Sequence, residues 1–242
     1  MADITLKNIE AIEQRIVEAC IKSGRKPEDV KLLLATKTVS AERIRTVINQ
    51  GYTLIGENKI QEAMAKQEVL KELPIEWHFI GHLQTNKVKF ITQFTDVVQS
   101  IDRLRLASKL QNRLVYDKRK SMDVFIQVNT SFEASKFGVP PEKALELIKQ
   151  VSELPRLNIK GLMTIGILSS KDDKVRDCFK LLKEIQLKAQ ELSLPNASFD
   201  ELSMGMSNDL ELAIEEGSTM IRVGTAIFGK RAFPDSYYWN EG

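Results

Sequence analysis

A lysine stands almost directly after a short apolar run near the beginning of the chain. Lys37 follows residues 32–35, which carry no charge, and one threonine separates the two. If that run is a buried strand, the lysine amine lies at a strand end with partly apolar walls, and desolvation lowers the pKa of an amine. A neutral amine attacks aldehydes, so Lys37 is a candidate for covalent attachment of a carbonyl compound. The alternative is an ordinary lysine whose charged end reaches water along its flexible stem.

Two glycine-bearing segments late in the chain carry groups that bind phosphate. The first runs from Ser203 to Ser207 and offers two hydroxyls, a glycine and the start of a helix, whose unpaired N–H groups favour an anion. The second, from Arg222 to Thr225, adds a guanidinium, Gly224 and another hydroxyl. The alternatives are that Ser207 caps the helix and that Arg222 is a structural residue at a strand end. The sequence contains no GxxxxGKS/T loop, which disfavours a nucleoside triphosphate site.

Other candidates are weaker, and each has a structural alternative. His78 lies within an apolar run and is expected in the core, whereas His82 lies just after that run and could contact a ligand. Asn58 could hydrogen-bond a ligand or cap the helix that follows it. These two histidines are the only ones, so a zinc site is disfavoured. The aromatic residues at 237–239 are interpreted as packing.

An alternation of short apolar runs and amphipathic segments positions these residues. Eight apolar runs of four or five residues suit strands that are buried on both faces. Amphipathic segments with helical spacing follow them, and Ser40 and Asp102 are predicted to be N-caps of two of these helices. Eight such units predict an α/β fold, a (β/α)8 TIM-type barrel, with an open doubly wound sheet as the alternative. The predicted strands cover residues 32–35, 52–56, 77–80, 96–99, 124–128, 159–163, 199–202 and 219–223.

The ends of the apolar runs explain why the candidates belong together. In a (β/α)8 barrel, functional residues collect where strands end and the following loops begin. Lys37, Asn58, His82 and both glycine-bearing segments occupy such positions. We expect one domain over residues 1–242, with an extra N-terminal helix at about residues 5–23 and the barrel at about residues 30–230.

Composition narrows the class of protein. The 242 residues are 43% hydrophobic and 28% charged, with a formal net charge of +2 spread along the chain, so nucleic acid is not an expected partner. The acidic residues near the start argue against a signal peptide, and no apolar run approaches the roughly 20 residues that span a bilayer. Only Cys20 and Cys178 are present, so no disulfide framework is expected and a reducing, cytoplasmic location is the default.

Seven segments along the chain carry a family likeness. In order they are LLLATKT, GEN, WHFIGHLQTNK, SKFG, GLMTIG, LSMGMSND and EEGSTMIRVGTAIFG. Spread over about residues 30–230, they resemble the pyridoxal phosphate homeostasis protein family (YggS/PROSC type). The resemblance implies a barrel like the N-terminal domain of alanine racemase. It also implies that this barrel binds pyridoxal 5'-phosphate (PLP), a form of vitamin B6.

The resemblance further implies roles for individual residues. It implies a Schiff base between PLP and Lys37, with Asn58 near the cofactor. The group that meets the pyridine nitrogen stays open, because Arg222 is the only nearby cation that the motifs offer. A guanidinium there would leave the nitrogen unprotonated and make PLP a poorer electron sink. Phosphate contacts are implied for Ser203, Ser207, Arg222, Gly224 and Thr225.

Three functions are compatible with these residues. The favoured one is a protein that holds, buffers or delivers PLP, with PLP-dependent apoenzymes as recipients. The alternative is a PLP-dependent amino-acid racemase of low activity. Racemisation needs a base on each face of the α-carbon. Similar racemases supply the second base, a tyrosine, from an extra C-terminal domain of a partner subunit. We expect no room for such a domain after the eighth strand, and therefore no efficient catalysis.

The third compatible function is a phosphosugar isomerase, which would share the phosphate loops and use Glu57 as its base. It is the least favoured, because Glu57 is the only obvious carboxylate at a predicted strand end. Without a second domain, a monomer is expected, and no membrane partner is expected.

Overall fold

Eight parallel strands form a closed barrel. The computed structural model of the chain describes residues 2–229, so the aromatic cluster at residues 237–239 lies outside the described residues. The strands are β1 Lys31–Ala35, β2 Leu54–Glu57, β3 Glu76–Phe79, β4 Val97–Ile101, β5 Met122–Gln127, β6 Leu157–Met163, β7 Ala197–Ser203 and β8 Met220–Val223. Each strand pairs with the next along the chain, and β8 pairs with β1. The predicted (β/α)8 barrel is confirmed, and the open sheet is excluded.

Helices cover the outside of the barrel. The predicted extra N-terminal helix is present, and it begins earlier than expected. In the described part of the chain, none of the helices is long and apolar enough to cross a membrane. The helices are α1 Ala2–Lys22, α2 Ala41–Ile48, α3 Ile60–Leu70, α4 Val88–Ile91, α5 Leu104–Tyr116, α6 Ala144–Ser152, α7 Asp172–Glu191, α8 Leu210–Glu215 and α9 Thr225–Phe228.

Alternating side chains of the strands build two apolar layers. Leu33, Phe125 and Met220 belong to a small cluster that fills the barrel interior. Leu34 and Ile221, one position further along β1 and β8, point outward and pack against the covering helices. Each fully buried side chain of this size stabilises the fold by about 1.5–3 kcal/mol. Because the interior is largely apolar, any polar group placed there needs a hydrogen-bond partner.

Two helix starts test the cap predictions. Ser40 caps α2 as predicted, because its side chain accepts a hydrogen bond from Arg43 N. The prediction for Asp102 is wrong: α5 begins at Leu104, its N-cap is Arg103, and no side chain caps it. The Asp102 carboxylate pairs with the Arg103 guanidinium instead. A charged partner next to the carboxylate competes with the helix N–H groups for its oxygens.

The N-terminal helix is attached to the last elements of the barrel. Its apolar stripe includes Ile9, Ile12 and Ile16, which are buried together with α8 and α9 residues. Arg15 makes an ion pair with Glu211 at 2.6 Å. Helix α1 therefore braces the segment between β7 and α8, which carries the first predicted phosphate loop.

Candidate functional site

The loops after the strands gather at one end of the barrel, which we call the mouth, because all strands run in the same direction. Seven of the eight predicted site residues follow or end β7, β8, β1 and β2, which are consecutive around the barrel. His82 follows β3, the next strand of the circle. The topology thus places the predicted residues on one continuous arc of the mouth. The seven residues are Ser203, Ser207, Arg222, Gly224, Thr225, Lys37 and Asn58.

Lys37 lies in a tight turn immediately after β1. The N–H of Val39 donates to Thr36 O at 2.9 Å and closes the turn. Thr38 has a φ of +65°, a left-handed conformation that is costly for a β-branched residue. Its N–H donates to Glu62 Oε2 at 3.0 Å, which ties the turn to α3. The backbone that carries the half-buried Lys37 is therefore held on both sides.

A buried ion pair lies beneath this turn, and the sequence did not reveal it. Lys66 of α3 donates to Glu57 Oε1 at 2.7 Å and to Thr36 O at 2.8 Å. The Thr36 hydroxyl also donates to Glu57 Oε1. Burial raises the pKa of Glu57, and the charge of Lys66 opposes that rise. We call these three residues the Glu57 cluster. Lys66 looked like an exposed helix lysine in sequence, and its nine-residue separation from Glu57 is no recognisable pattern.

The Glu57 cluster also bears on the isomerase alternative. That function requires Glu57 to act as a base toward a substrate at the mouth. In the structure one carboxylate oxygen is taken by Lys66 and Thr36, and the residue is 1% exposed. A base must come within hydrogen-bond reach of the proton that it removes. This arrangement gives Glu57 a structural role and offers no support for the isomerase.

The loops after β7 and β8 meet each other and the end of β1. Ser207 Oγ accepts a hydrogen bond from Ala226 N at 3.3 Å, which joins the two loops. A Cβ on Gly224 would lie 2.8 Å from Ala35 O, so only glycine fits against the end of β1. Within residues 2–229, the N–H groups of Ser207 and Thr225 donate to no acceptor. These loops therefore present unpaired donors beside the strand that leads to Lys37.

The alternative of a capping Ser207 is wrong. Helix α8 begins at Leu210 with Asp209 as its N-cap, two residues beyond Ser207. The Asp209 side chain accepts from Met206 N at 2.6 Å and shapes the loop before the helix. Gly205 has a φ of +93°, a conformation that glycine adopts without strain.

Arg222 points into the barrel interior and is nearly buried, with 5% of its surface exposed. Its Nη1 donates to Ser203 Oγ and its Nη2 donates to Thr164 O, both at 2.7 Å. Burial lowers the pKa of Arg222 to about 10, so the guanidinium still carries its charge at neutral pH. Among the described residues, no carboxylate lies within ion-pair distance of it, although the charge of the Asp209 carboxylate partly opposes the fall in its pKa. Arg222 is thus a buried cation held by neutral acceptors.

Ser203 is fully buried below the loop that it precedes. Its hydroxyl accepts from Arg222 and donates to Gln99 Oε1 at 2.6 Å. The hydroxyl proton is therefore already engaged, which favours a role in supporting Arg222. The direct phosphate contact of Ser203 stays a prediction.

Asn58 and His82 occupy the side of the mouth after β2 and β3. Asn58 Oδ1 is buried and, within residues 2–229, has no hydrogen-bond partner. The capping alternative for Asn58 is wrong, because the N-cap of α3 is Lys59. The His82 ring stacks on Phe137 with centroids 3.7 Å apart, and burial lowers the pKa of the imidazole. Its Nδ1 lies 3.7 Å from an oxygen of Asp102. Burial therefore disfavours the charged imidazole of His82, which lies between Phe137 and Asp102 just after β3.

Comparison with protein families and curated relatives gives one consistent result. Residues 8–232 match the family described as alanine racemase, N-terminal domain. The chain is 42% identical to a pyridoxal phosphate homeostasis protein of Aquifex aeolicus over 227 residues, which cover 94% of this chain and 98% of the relative. It is 38% identical over 229 residues to the protein of that name from Escherichia coli K12, covering 93% and 96%.

Solved structures give the same picture. A protein from Bifidobacterium adolescentis is 34% identical with a TM-score of 0.87, covering 94% of this chain and 95% of that one. PipY of Synechococcus elongatus, solved with PLP bound, is 33% identical with a TM-score of 0.77, covering 90% of this chain and all of PipY. Alanine racemase from Corynebacterium glutamicum is 14% identical with a TM-score of 0.67, covering 92% and 61%, and shares the fold alone. The chain belongs to the pyridoxal phosphate homeostasis protein family and has the barrel fold of the alanine racemase N-terminal domain.

Proposed function

We propose that this protein binds PLP covalently on Lys37 and serves intracellular PLP homeostasis by buffering or delivering the cofactor. One observation carries the proposal: a lysine on a braced turn shares one arc of the mouth with two donor-bearing loops and a buried arginine. The whole of residues 1–242 is proposed to act as one PLP-binding unit. The family relatives that carry PLP in their names support the choice of cofactor.

The phosphate end of PLP fits the loops after β7 and β8. Unpaired N–H groups at Ser207 and Thr225 and the nearby hydroxyls are suited to phosphate oxygens. Gly224 keeps the backbone close to β1, so no side chain fills the space between the loop and the strand. We propose that Ser207, Gly224 and Thr225 hold the phosphate.

The ring of PLP fits the polar groups on either side of Lys37. Asn58 Oδ1 is a buried acceptor that lacks a partner among the described residues, and a ring substituent would satisfy it. Arg222 supplies a cation that forms no ion pair within residues 2–229, and we propose that it meets the pyridine nitrogen. When bound, PLP supplies an aldehyde and an electron-withdrawing ring. A guanidinium keeps its own protons, so Arg222 would leave the nitrogen unprotonated and weaken the ring as an electron sink.

The covalent link needs only the lysine amine and the aldehyde. In its neutral form the Lys37 amine would form a C=N bond to the aldehyde carbon of PLP, and the aldehyde oxygen would leave as water with two protons from the nitrogen. The turn that carries Lys37 is held by Thr36 and Glu62, which fixes where the amine can reach. Addition of water reverses the link, as release of the cofactor to a recipient would require.

Efficient racemisation is not proposed, because neither tyrosine of the described residues is placed to act as a second base. Within residues 2–229 the two tyrosines, Tyr52 and Tyr116, lie before β2 and at the end of α5. Both positions belong to the end of the barrel opposite the mouth. Deuterium exchange at the α-carbon of supplied amino acids checks the proposal, with only slow exchange expected. Sustained exchange that disappears in Lys37→Ala would establish the racemase.

Covalent attachment is tested by chemical trapping. The purified protein is loaded with PLP, the violet-region absorbance of an imine is recorded, the sample is reduced with borohydride, and the adduct is mapped by mass spectrometry. We expect the adduct on Lys37 and none in Lys37→Ala. Lys31→Ala is the matched control, because Lys31 lies at the other end of β1 and pairs with Glu201. An adduct at another residue would contradict the proposal.

Delivery and assembly are separate parts of the proposal. We propose that PLP-dependent apoenzymes receive the cofactor, that the protein acts as a monomer and that it works in the cytoplasm, where both of its cysteines stay free. When the PLP-loaded protein is mixed with an apoenzyme, enzyme activity should return faster than when PLP alone reaches the apoenzyme through a dialysis membrane. Light scattering gives the mass of the assembly in solution. Equal rates of reactivation with and without contact between the two proteins would contradict delivery. A dimeric mass would contradict the proposed monomer.

A further inference from the structure

A line of polar side chains, all buried except Glu76, crosses the otherwise apolar barrel interior and ends on Arg222. Arg222 Nη1 donates to Ser203 Oγ at 2.7 Å, and Ser203 Oγ donates to Gln99 Oε1 at 2.6 Å. Gln99 Nε2 lies 2.8 Å from His78 Nδ1, and His78 Nε2 lies 3.0 Å from Glu76 Oε1. We call these five residues the Arg222 network. It joins β8, β7, β4 and β3 and runs from beneath the mouth to the opposite end of the barrel.

Only one direction of donation satisfies every member of the Arg222 network. A guanidinium can only donate, so Ser203 Oγ must accept from Arg222 and use its own proton toward Gln99. The Gln99 amide then has its oxygen toward Ser203 and its NH2 group toward His78. A hydrogen of that NH2 group requires a lone pair on His78 Nδ1, so the imidazole proton sits on Nε2 and is donated to Glu76.

The surroundings make this direction hard to reverse. Gln99 and Ser203 are fully buried, and His78 is 3% exposed. The second hydrogen of Gln99 Nε2 points to Met220 Sδ at 3.1 Å, a weak acceptor. If the Gln99 amide were flipped, its NH2 group would face the Ser203 hydroxyl that already accepts from Arg222. Its oxygen would face the lone pair of His78 Nδ1. Each misplaced group would then be buried without a partner, which is unfavourable in an apolar interior.

The network explains how a buried cation keeps a fixed orientation without a carboxylate. Thr164 O holds one nitrogen of the Arg222 guanidinium and Ser203 holds the other. A serine hydroxyl rotates freely unless its proton has an acceptor, and Gln99 is that acceptor. Gln99 is in turn held in one amide orientation by His78. The orientation of the guanidinium therefore depends on residues that lie deep below the mouth.

We propose that Gln99 and His78 are positioning residues that fix the Arg222 guanidinium for PLP. The proposal rests on the proposed function, because it requires PLP to meet Arg222. Neither residue touches the cofactor in this account, and both act through Ser203. Loss of either should weaken PLP binding and alter its absorbance while the barrel still folds.

The first test removes the acceptor for Ser203. Gln99→Leu should lower PLP affinity about tenfold, which corresponds to about 1.4 kcal/mol. It should also shift the absorbance of bound PLP, because a loosened guanidinium changes the environment of the ring. Gln186→Leu is the matched control: Gln186 is also buried, on α7, and its side chain donates to Phe199 O, four positions before Ser203 on β7. We expect the control to lose thermal stability and to keep both affinity and spectrum.

A second test compares two amides at position 78. In His78→Asn the side-chain oxygen can take the place of Nδ1 and accept from Gln99, so affinity should stay within about threefold. In His78→Gln the longer amide reaches the Nε2 position and leaves Gln99 without its acceptor. This variant should lose affinity about as much as Gln99→Leu. The pair decides the proposal even if Gln99→Leu fails to fold, because both variants carry an amide of the same chemistry.

A double-mutant cycle tests whether Gln99 acts through Arg222. In an Arg222→Lys background, Gln99→Leu should cost less than about threefold in affinity, because the group that it positions is gone. Additive losses, unchanged affinity and spectrum in Gln99→Leu, or equal affinities of the two position-78 variants would overturn the proposal. Failure of the proposed function looks different: wild-type protein would then carry no adduct on Lys37.

Discussion

Two largely buried polar assemblies extend below the mouth of the barrel, and they differ in how their charge is satisfied. The Glu57 cluster sits between the end of β2 and α3, and it contains both a carboxylate and an ammonium 2.7 Å apart. The Arg222 network lies inside the barrel, and its cation contacts only a hydroxyl and a carbonyl oxygen. The first assembly pairs its two charges with each other, although Glu57 Oε2 has no hydrogen-bond partner among the described residues. The cation of the second forms no ion pair within residues 2–229, and the Asp209 carboxylate acts on it only through its charge.

The difference separates residues that hold the fold from residues that hold a ligand. A buried ion pair costs much desolvation, and removing one partner leaves an uncompensated charge. A buried guanidinium held by neutral groups has already lost its hydration on folding, so ligand binding does not add that cost. Its charge can therefore attract an electron-rich ligand. We therefore expect mutations in the Glu57 cluster to reduce the free energy of unfolding and mutations in the Arg222 network to reduce PLP affinity. Four predictions test this division, from the largest expected effect to the smallest.

Lys66→Met should give the largest loss of stability. It leaves Glu57 buried beside an apolar side chain, and breaking such a pair costs about 3–5 kcal/mol. The free energy of unfolding is measured by urea titration of the PLP-free protein at neutral pH. The double variant Lys66→Met with Glu57→Gln should recover part of the loss, because no charge is then left unpaired. A loss below about 1 kcal/mol in Lys66→Met would show that the pair is not a structural requirement.

Arg222→Gln should show the opposite pattern. It removes a buried cation that forms no ion pair in the described part of the chain, so we expect little change in the free energy of unfolding. PLP affinity should fall by about 10- to 100-fold, or about 1.4–2.8 kcal/mol, because the contact to the ring is lost. Cofactor lost on dialysis gives the readout. Retention equal to wild type would remove Arg222 from the site.

Thr36→Val asks whether the Glu57 cluster also affects the site. The substitution keeps the shape but removes the hydroxyl that donates to Glu57, at a cost of about 1–2 kcal/mol in stability. The turn of Lys37 keeps its backbone hydrogen bonds to Thr36 and Glu62, so PLP affinity should change by less than about threefold. A larger loss of PLP affinity with unchanged stability would contradict the assignment of the Glu57 cluster to the fold and not to ligand binding.

His82→Gln should give a small, pH-dependent effect outside both assemblies. Burial lowers the pKa of His82 below 6.5, so the unfolded chain binds more protons than the folded protein just below that pH. Stability therefore falls as the pH drops through 6.5 and levels off below the folded-state pKa. His82→Gln should lose this pH-dependent contribution to the free energy of unfolding, which changes by less than about 1.36 kcal/mol per pH unit. The change is measured as the difference between the urea midpoints at pH 7 and pH 5. An equal difference in wild type and His82→Gln would contradict this role of His82.

The sequence predicts the fold and the outline of the site because both depend on short-range patterns. Eight apolar runs with glycine and polar residues at their ends lead to the barrel, and Lys37 after β1 follows from the same pattern. The phosphate loops are recognisable since hydroxyls and glycines cluster within five residues of each other. Ser40 as a cap is a local prediction of the same kind, and it is confirmed.

The buried polar partners could not be predicted, because they depend on contacts between distant elements. Lys66 has the spacing of an exposed helix residue, and only the approach of α3 to β1 buries it beside Glu57. Gln99 reads as an ordinary strand residue, and its link to Ser203 spans 104 positions. The wrong cap at Asp102 has a local origin instead, because the guanidinium of the next residue, Arg103, competes with the helix N–H groups for the carboxylate oxygens.

The most direct test of the central claim is the map of the borohydride-reduced PLP adduct. We expect one adduct on Lys37 in wild type and Lys31→Ala, and none in Lys37→Ala. We also expect faster loss of unreduced PLP on dialysis from Gln99→Leu than from Gln186→Leu. A reduced adduct on any other lysine, or a wild-type protein that stays colourless with saturating PLP, would contradict covalent binding on Lys37.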